Sequence, residues 1–299
     1  MAPAVPEVPQ REGWIALRGS RTWYRVVGDP NSGLDPLLCL HGGPGSTHHY
    51  FAPLERLAED GRAVVVYDQL GCGRSERPLG VEWTLALFLD ELQAVRDGLG
   101  LDRVHLLGTS WGGMLALEHA LAGTGELTSL VLSSTLANAA EWATEVAQLR
   151  DDLPPEHVAA FARAEREGSY GGPEYEQADE AFSARHFYRG ASAPPEIERM
   201  RVERSVEAYE AMWGPNEWTI TGHLGGWDLT GRLGEVDVPA LVIRGAYDMC
   251  TPRVAERLMG GLPDARLVVF EQSSHTPVLE ETERYLQVVG DFLREVERR

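Results

Sequence analysis

The first half of the chain alternates short apolar runs with segments in which apolar residues recur at helical spacing. An uninterrupted apolar run is typical of a strand that is buried on both faces of a sheet. The chain opens with a predicted β-hairpin that turns at Gly19-Ser20 and has strands at Trp14–Leu17 and Thr22–Val27. Apolar runs then predict strands at Leu37–Leu40, Ala63–Tyr67, Val104–Leu107 and Leu127–Leu132. Helical spacing predicts helices at Phe88–Leu99 and Met114–Leu121. The alternation indicates an α/β fold with a mostly parallel sheet and helices on both faces.

The pattern changes between residues 136 and 226, where the chain is charged, helical in spacing and without a convincing buried strand. Proline and glycine clusters interrupt this segment at Pro154-Pro155, Gly171-Gly172-Pro173 and Pro194-Pro195. The alternation then resumes, with strands predicted at Ala240–Arg244 and Arg266–Phe270 and helices at Arg253–Met259 and Thr282–Glu297. A helical insertion in an α/β sheet suits a lid over the carboxyl ends of the strands. We therefore divide the chain into a first core part (1–135), a lid (136–226) and a second core part (227–299).

The net charge of the chain excludes some classes of binding partner. The 299 residues include 46 acidic and 27 basic side chains, for a formal net charge of −19. A surface of this sign repels phosphates, so we expect neither a nucleic-acid partner nor an anionic membrane. Every basic residue is arginine. This excludes enzymes that depend on a P-loop, Schiff-base or kinase lysine.

The cysteines and the first residues bear on the compartment. Cys39, Cys72 and Cys250 are odd in number and unrelated in spacing, which argues against a disulfide framework and against a CxxC zinc site. Residues 1–10 contain no apolar stretch of signal-peptide length, and no run approaches the roughly 20 residues of a membrane span. We expect a cytoplasmic protein with reduced thiols.

A nucleophile motif lies between a predicted strand and a predicted helix. Residues 108–112 read Gly-Thr-Ser-Trp-Gly and match G-x-S-x-G. In a strand-to-helix turn, flanking glycines avoid Cβ clashes and leave the serine hydroxyl exposed at the helix N-terminus. A chance match is the alternative in a chain with 32 glycines, but the strand–turn–helix context favours Ser110 as a nucleophile.

A serine nucleophile requires a base and an acid that orients the base. In this architecture they follow the serine in the order acid, then histidine, each after a late strand. Asp248 and His275 stand in these places, after the predicted strands at Ala240–Arg244 and Arg266–Phe270. The alternative makes Asp248 a helix N-cap and His275 a surface loop residue. The order of the residues favours the catalytic interpretation.

The same chemistry requires two N–H donors that face the developing oxyanion. One comes from the residue after the nucleophile, which is Trp111. The second comes from the glycine-rich loop that follows Leu37–Leu40, where bare glycines let the backbone approach a substrate closely. We favour Gly43 as this donor, with Gly42 as the other candidate, and we expect His41 to brace the loop. The remaining histidines have no metal-ligand spacing, so no metal site is predicted.

Three motifs together resemble the proline iminopeptidase family of α/β-hydrolases. They are His-Gly-Gly-Pro-Gly at 41–45, Asp-Gln-Leu-Gly-Cys-Gly-Arg-Ser at 68–75 and Gly-Thr-Ser-Trp-Gly-Gly at 108–113. The segment Gly-Pro-Asn-Glu-Trp-Thr-Ile at 214–220 adds a further match, and residues 21–26 and 112–115 look like the L-proline (amino acid) amide hydrolases. The resemblance spans nearly the whole chain and implies the α/β-hydrolase fold.

The resemblance also implies an activity: hydrolysis, without metal or cofactor, of the amide bond that follows an unblocked N-terminal residue, often proline. In this family a lid carboxylate pairs with the free α-ammonium of the substrate, and here Glu217 matches it. A desolvated charge pair of this kind discriminates strongly against blocked substrates. The expected partner is therefore a small molecule or short peptide with a free α-amine.

One position departs from the family. Members usually carry a second acidic residue beside the triad acid, whereas Tyr247 and Met249 flank Asp248 here. This puts strict aminopeptidase specificity in question and leaves an amino-acid amide or a natural-product amide as alternative substrates. A carboxylesterase or lactonase on the same scaffold is the other enzymatic alternative. A non-catalytic receptor is the alternative from a different class, and the intact Ser, Asp, His and oxyanion loop argue against it.

Overall fold

The computed structural model describes residues 8–123 and 125–299. Residues 1–7, which form most of the stretch where we expected no signal peptide, lie outside the described part. Eight strands form one sheet in the order β1-β2-β4-β3-β5-β6-β7-β8. β1 pairs with β2, and β2 with β4, in antiparallel orientation, and the other neighbours are parallel. The predicted mostly parallel α/β architecture is confirmed.

The predicted strands are all observed, with ends that differ by a few residues. They are β1 (Gln10–Leu17), β2 (Ser20–Val27), β3 (Leu37–Leu40), β4 (Val64–Tyr67), β5 (Arg103–Thr109), β6 (Glu126–Ser133), β7 (Ala240–Gly245) and β8 (Ala265–Phe270). The core helices are α1 (Leu85–Leu99), α2 (Trp111–Ala122), α8 (Pro252–Gly261), α9 (Pro277–Glu280) and α10 (Thr282–Val296). The short helix α9 was not predicted. A 3₁₀ helix at His48–Asp60, with Pro53 inside it, also has no counterpart in the apolar pattern.

The segment 136–226 is helical, as its spacing predicts. Its helices are α3 (Ala139–Asp151), α4 (Pro155–Glu167), α5 (Pro173–His186), α6 (Pro195–Glu203) and α7 (Val206–Met212). Prolines at the first positions of α4, α5 and α6 start these helices, because a helix start needs no N–H there. We keep the name lid for residues 136–226.

The sheet separates two apolar layers, and β3 shows why its sequence is apolar throughout. Leu38 and Leu40 point into the layer that contains α1 and α2. Leu37 and Cys39 point into the opposite layer, against the 3₁₀ helix and α10. Because successive strand residues face opposite sides, a strand buried on both faces needs an unbroken apolar run.

Among the described helices, none has both the length and the apolar character that crossing a bilayer requires.

Candidate active site

Ser110 lies in the sharp turn between β5 and α2. Its φ of 55° and ψ of −121° belong to a region that residues other than glycine rarely adopt. Two neighbours hold this backbone: the Ser110 N–H donates to the carbonyl of Ser133 at 3.0 Å, and the Thr135 hydroxyl donates to the Ser110 carbonyl at 2.6 Å. Ser110 thus lies at the positive N-terminal end of α2, which favours a developing negative charge.

The flanking glycines of the motif have no room for a side chain. A Cβ on Gly108 would lie 2.2 Å from the carbonyl oxygen of Gly112, and one on Gly112 would lie 2.0 Å from that of Leu40. The turn is tight because α2 starts directly against the ends of β3 and β5. The glycines of G-x-S-x-G are therefore a steric requirement of this turn.

Asp248 and His275 meet although 27 residues separate them. His275 Nδ1 lies 2.7 Å from Asp248 Oδ1, and both side chains are buried. The Cys250 N–H donates to Asp248 Oδ1 at 3.0 Å, which fixes the carboxylate. Burial by itself lowers the pKa of His275, but the charge and hydrogen bond of Asp248 outweigh burial, so the pKa is raised. An Asp-oriented imidazole of this kind is suited to act as a base.

A narrow recess lies beside Ser110. Gly43, Trp111 and Met114 line it from the core, and Leu136, Trp142, Trp213 and Glu217 line it from the lid. The ring of Trp142 also lies edge-on to the ring of His275, with centroids 5.9 Å apart. The Asp248–His275 pair is therefore next to the recess that Ser110 faces.

The two candidate glycines of the oxyanion loop differ in hydrogen bonding. The Gly42 N–H donates to the hydroxyl of Tyr50 at 2.6 Å. The Gly43 N–H takes part in no hydrogen bond within residues 8–123 and 125–299, and Gly43 lines the recess. Of the two candidate glycines, Gly43 therefore keeps its N–H available beside the recess, and a Cβ on Gly42 would lie 3.2 Å from the Cβ of Ser110.

Gln69 bridges the two segments that carry the candidate oxyanion donors. Its side-chain amide donates to the carbonyl of His41 at 3.0 Å, and its side-chain oxygen accepts the indole N–H of Trp111 at 2.9 Å. The Gln69 N–H donates to His41 Nε2 at 2.9 Å, so His41 carries its proton on Nδ1 and donates it to the Gly42 carbonyl. Burial lowers the pKa of His41 to about 4, which keeps it neutral. His41 braces the loop, as expected.

Glu217 reaches the recess from the lid. It lines the recess with Ser110, and its Oε1 accepts a hydrogen bond of 2.7 Å from the hydroxyl of Tyr209. Desolvation raises the pKa of Glu217, partly offset by the Tyr209 hydrogen bond and by the positive potential of His275. In its ionised form, a carboxylate in this position can pair with a cation that enters the recess.

The residues beside Asp248 are not acidic and differ in exposure. Met249 is buried, whereas Tyr247 is 43% exposed and its ring carries the guanidinium of Arg189 at 3.6 Å. Cys250, like Cys39 and Cys72, is buried and free. Burial raises the pKa of the Cys250 thiol, so this thiol is not a nucleophile at neutral pH.

One group of potential metal ligands lies on the far side of the sheet from Ser110, at the amino end of β5. It comprises Asp35, His105 and Glu297. Arg62 pairs with Glu297 at 2.6 Å, and Arg103 pairs with Asp35 at 2.9 Å. The carboxylates already have cationic partners, and the group ties α10 to the sheet.

Several of these contacts have no signal in the sequence. Gln69 lies inside the 68–75 motif, so its place in the motif is the signal that could have found it. Tyr50 and Tyr209 lie in segments without a motif, and only the folded chain brings them to the site.

Comparison with known proteins places this geometry in context. The sequence model of the alpha/beta hydrolase fold matches residues 35–282. The proline iminopeptidase of Clostridium botulinum is 41% identical over 286 residues, which cover 94% of this chain and 97% of that protein. Two crystal structures match with similar coverage. VinJ is 38% identical with a TM-score of 0.92, over 96% of this chain and 99% of VinJ. A proline iminopeptidase of Mycobacterium smegmatis is 37% identical with a TM-score of 0.86, over 96% of this chain and 98% of that one.

Proposed function

This chain belongs to the proline iminopeptidase family of α/β-hydrolases, and we propose that it hydrolyses the amide bond that follows a free N-terminal amino acid, in particular proline. The observation that carries this proposal is a lid carboxylate, Glu217, in the same recess as the strained Ser110. Glu217 recognises the free amine of the substrate, and Ser110 attacks its carbonyl. Because both residues lie in one recess, the bond that is cleaved is the one that follows the first residue of the substrate.

Acyl capture starts at Ser110. Its hydroxyl attacks the substrate carbonyl, and the oxygen of that carbonyl becomes an oxyanion between the N–H groups of Gly43 and Trp111. Preorganised donors of this kind stabilise the transition state more than the ground state. The N-terminal end of α2 adds to this stabilisation because its dipole favours negative charge.

His275 and Asp248 move the protons. The Nδ1–H of His275 donates to Asp248, so Nε2 is free to take the proton of Ser110 and then to give it to the leaving amine. A water molecule repeats these steps on the acyl-enzyme and releases the amino acid. Each step uses side chains and backbone donors of this chain.

Glu217 supplies the selectivity for a free amine. An α-ammonium next to Glu217 forms a charge-assisted hydrogen bond in a site from which water is largely excluded, and such a bond is about twice as strong as a neutral one. A blocked amine leaves the carboxylate without its cation, which costs binding energy. Tyr247 and Met249 flank Asp248 where the family usually has a second acidic residue, so Glu217 is the main anchor for the ammonium group.

The recess favours an apolar first residue. Its lining of Trp142, Trp213, Met114 and Leu136 is apolar, as is usual for a small-molecule site. A proline ring suits this lining better than a charged side chain. Short peptides, amino-acid amides and natural-product amides share this acyl part and differ in the leaving amine.

We also propose that the chain works in the cytoplasm. Three buried, free cysteines are compatible with a reducing compartment.

The Ser110→Ala variant tests the proposal. We expect it to keep its fold, by circular dichroism, and to lose turnover of proline amide and proline p-nitroanilide. The wild-type enzyme is expected to react with a fluorophosphonate at Ser110. The matched control is Ser133→Ala. This serine lies at the end of β6, and the turn uses only its backbone carbonyl. Turnover that persists in Ser110→Ala would exclude the assignment.

A substrate panel separates the alternatives. It compares proline, alanine and phenylalanine amides, N-acetylproline amide, and a simple acyl ester. Faster hydrolysis of the acyl ester and of the blocked amide than of proline amide would favour a carboxylesterase.

A further inference from the structure

One lid residue contacts both loops that carry the proposed acid and base. His186 is the last residue of α5, and it bonds to the Asp248 loop through its side chain and to His275 through its backbone. We propose that His186 is a positioning residue that holds these two loops in register, so that the lid helps to assemble the triad. The proposal rests on the proposed function, because it assumes that Asp248 and His275 act as a pair.

The side-chain contact reaches the acid loop. His186 Nδ1 lies 2.9 Å from the carbonyl oxygen of Tyr247, the residue before Asp248. Because a carbonyl only accepts hydrogen bonds, the proton of the neutral imidazole must be on Nδ1. Burial lowers the pKa of His186, which favours this neutral form.

The backbone contacts reach the base loop. The His275 N–H donates to the carbonyl of His186 at 3.2 Å. The hydroxyl of Thr276 donates to the carbonyl of Phe187 at 3.0 Å. Two consecutive lid carbonyls thus accept from two consecutive residues of the base loop, which gives the loop a defined position relative to α5.

Two further contacts widen the attachment. The Arg189 N–H donates to Glu280 at 2.9 Å, and Glu280 also accepts the N–H of Ser274, next to His275. The guanidinium of Arg189 covers the ring of Tyr247 at 3.6 Å. Residues 186–189, which we call the strap, therefore touch the acid loop twice and the base loop repeatedly.

The spacing of the two loops decides the geometry of the triad. The 2.7 Å bond between His275 and Asp248 sets where Nε2 of His275 points. A backbone bond also joins the two loops directly, from the Tyr247 N–H to the Ser273 carbonyl at 3.1 Å. A displacement of about 1 Å at a catalytic group lowers a rate by as much as about 10²-fold, so a missing strap contact should appear in kcat.

The test compares His186→Ala with His186→Asn, since the amide nitrogen of asparagine lies where Nδ1 of histidine lies. We expect His186→Ala to lower kcat about tenfold on both proline p-nitroanilide and p-nitrophenyl acetate, with KM changed less than about twofold. We expect His186→Asn to recover most of this loss. The control is His157→Ala, another lid histidine, on α4, which should leave kcat unchanged.

A second readout does not depend on turnover. The proton between His275 and Asp248 gives a far-downfield NMR signal, which we expect to weaken or shift in His186→Ala and to return in His186→Asn. An unchanged signal and unchanged kcat in His186→Ala would overturn the proposal. Equal losses of kcat in both variants would also overturn it, because they would assign the effect to packing of the His186 ring against Phe182. A change confined to the KM for the amine substrate would overturn it as well.

If the proposed function is wrong, Ser110→Ala retains turnover. The NMR comparison of the two His186 variants then still decides whether the strap positions the Asp248–His275 pair.

Discussion

The hydroxyl of Tyr209 donates a 2.7 Å hydrogen bond to Glu217, and both residues come from the lid. The bond joins α7 to the loop at 214–220 and fixes one oxygen of the carboxylate. Tyr209 thereby favours the ionised form of Glu217, which desolvation disfavours.

Tyr209→Phe is expected to weaken selectivity for a free amine. Loss of a hydrogen bond to a charged group costs about 1.5 kcal/mol, so kcat/KM for proline p-nitroanilide should fall roughly tenfold. Hydrolysis of p-nitrophenyl acetate, which has no amine, should change little. Glu217→Gln is expected to lower kcat/KM for the amine substrate further and to bring free and N-acetylated prolines closer together. Unchanged preference for the free amine in Glu217→Gln would contradict the anchor role.

Gln69→Leu is expected to disturb the oxyanion site without removing either N–H donor. The substitution breaks the bridge between the His41 carbonyl and the Trp111 indole. Loss of a complete oxyanion donor costs about 10²- to 10³-fold in kcat, so loss of a brace should cost less, about tenfold. KM should stay within about twofold of wild type.

Steady-state kinetics and the rate of fluorophosphonate labelling both measure this effect. Gln287→Leu, at an exposed position of α10, is the matched control. A Gln69→Leu enzyme with wild-type kcat and unchanged thermal unfolding would show that the bridge has no part in the oxyanion site.

The acid limb of the pH profile should report His275. Asp248 raises the pKa of His275 above its ordinary value of 6.5 against the opposing effect of burial. The base must be neutral, so kcat/KM falls as pH decreases through this raised pKa, and the midpoint should lie above pH 6.5. An acyl ester is the best substrate, because it has no amine that titrates in the same range.

Asp248→Asn should move the midpoint to lower pH, since the raising charge is gone, and should lower kcat about 10⁴-fold. A wild-type midpoint below pH 6.5 would be evidence against this role of Asp248.

His105 should make the fold sensitive to mild acid. Burial, together with the nearby Arg62, lowers the pKa of His105 to about 4. The folded protein therefore keeps His105 neutral where the unfolded chain takes up a proton. The resulting stability is present above pH 6.5 and is lost between pH 6.5 and about 4, by about 1.4 kcal/mol per pH unit.

Denaturant unfolding at pH 7 and pH 5 measures this loss. In His105→Asn the drop in unfolding free energy between these two pH values should be smaller than in wild type by about 2 kcal/mol. His223→Asn, an exposed histidine of the lid, is the control. An equal drop in His105→Asn and wild type would mean that His105 does not contribute.

Much of the fold could be predicted because the signals are local. The strands buried on both faces need unbroken apolar runs, and Leu37–Leu40 coincides with β3 for this reason. The 3₁₀ helix at His48–Asp60 escaped prediction because Pro53 and the polar residues hide its buried face, and it is stabilised by packing against β3, β4 and α10. The short helix α9 has only four residues, which are too few to show a helical spacing of apolar positions.

The sequence by itself determined which residues stand at the ends of which strands: Ser110 after β5, Asp248 after β7 and His275 after β8. This follows because parallel strands bring their carboxyl ends to one edge of the sheet. Only the tertiary structure distinguishes the hydrogen bonding of Gly42 and Gly43, because the Gly42 N–H donates to the Tyr50 hydroxyl. The tertiary structure alone also joins His186 to Tyr247, 61 residues apart. Hydrogen bonds between distant segments depend on how helices and loops pack, and no local pattern of residues encodes that packing.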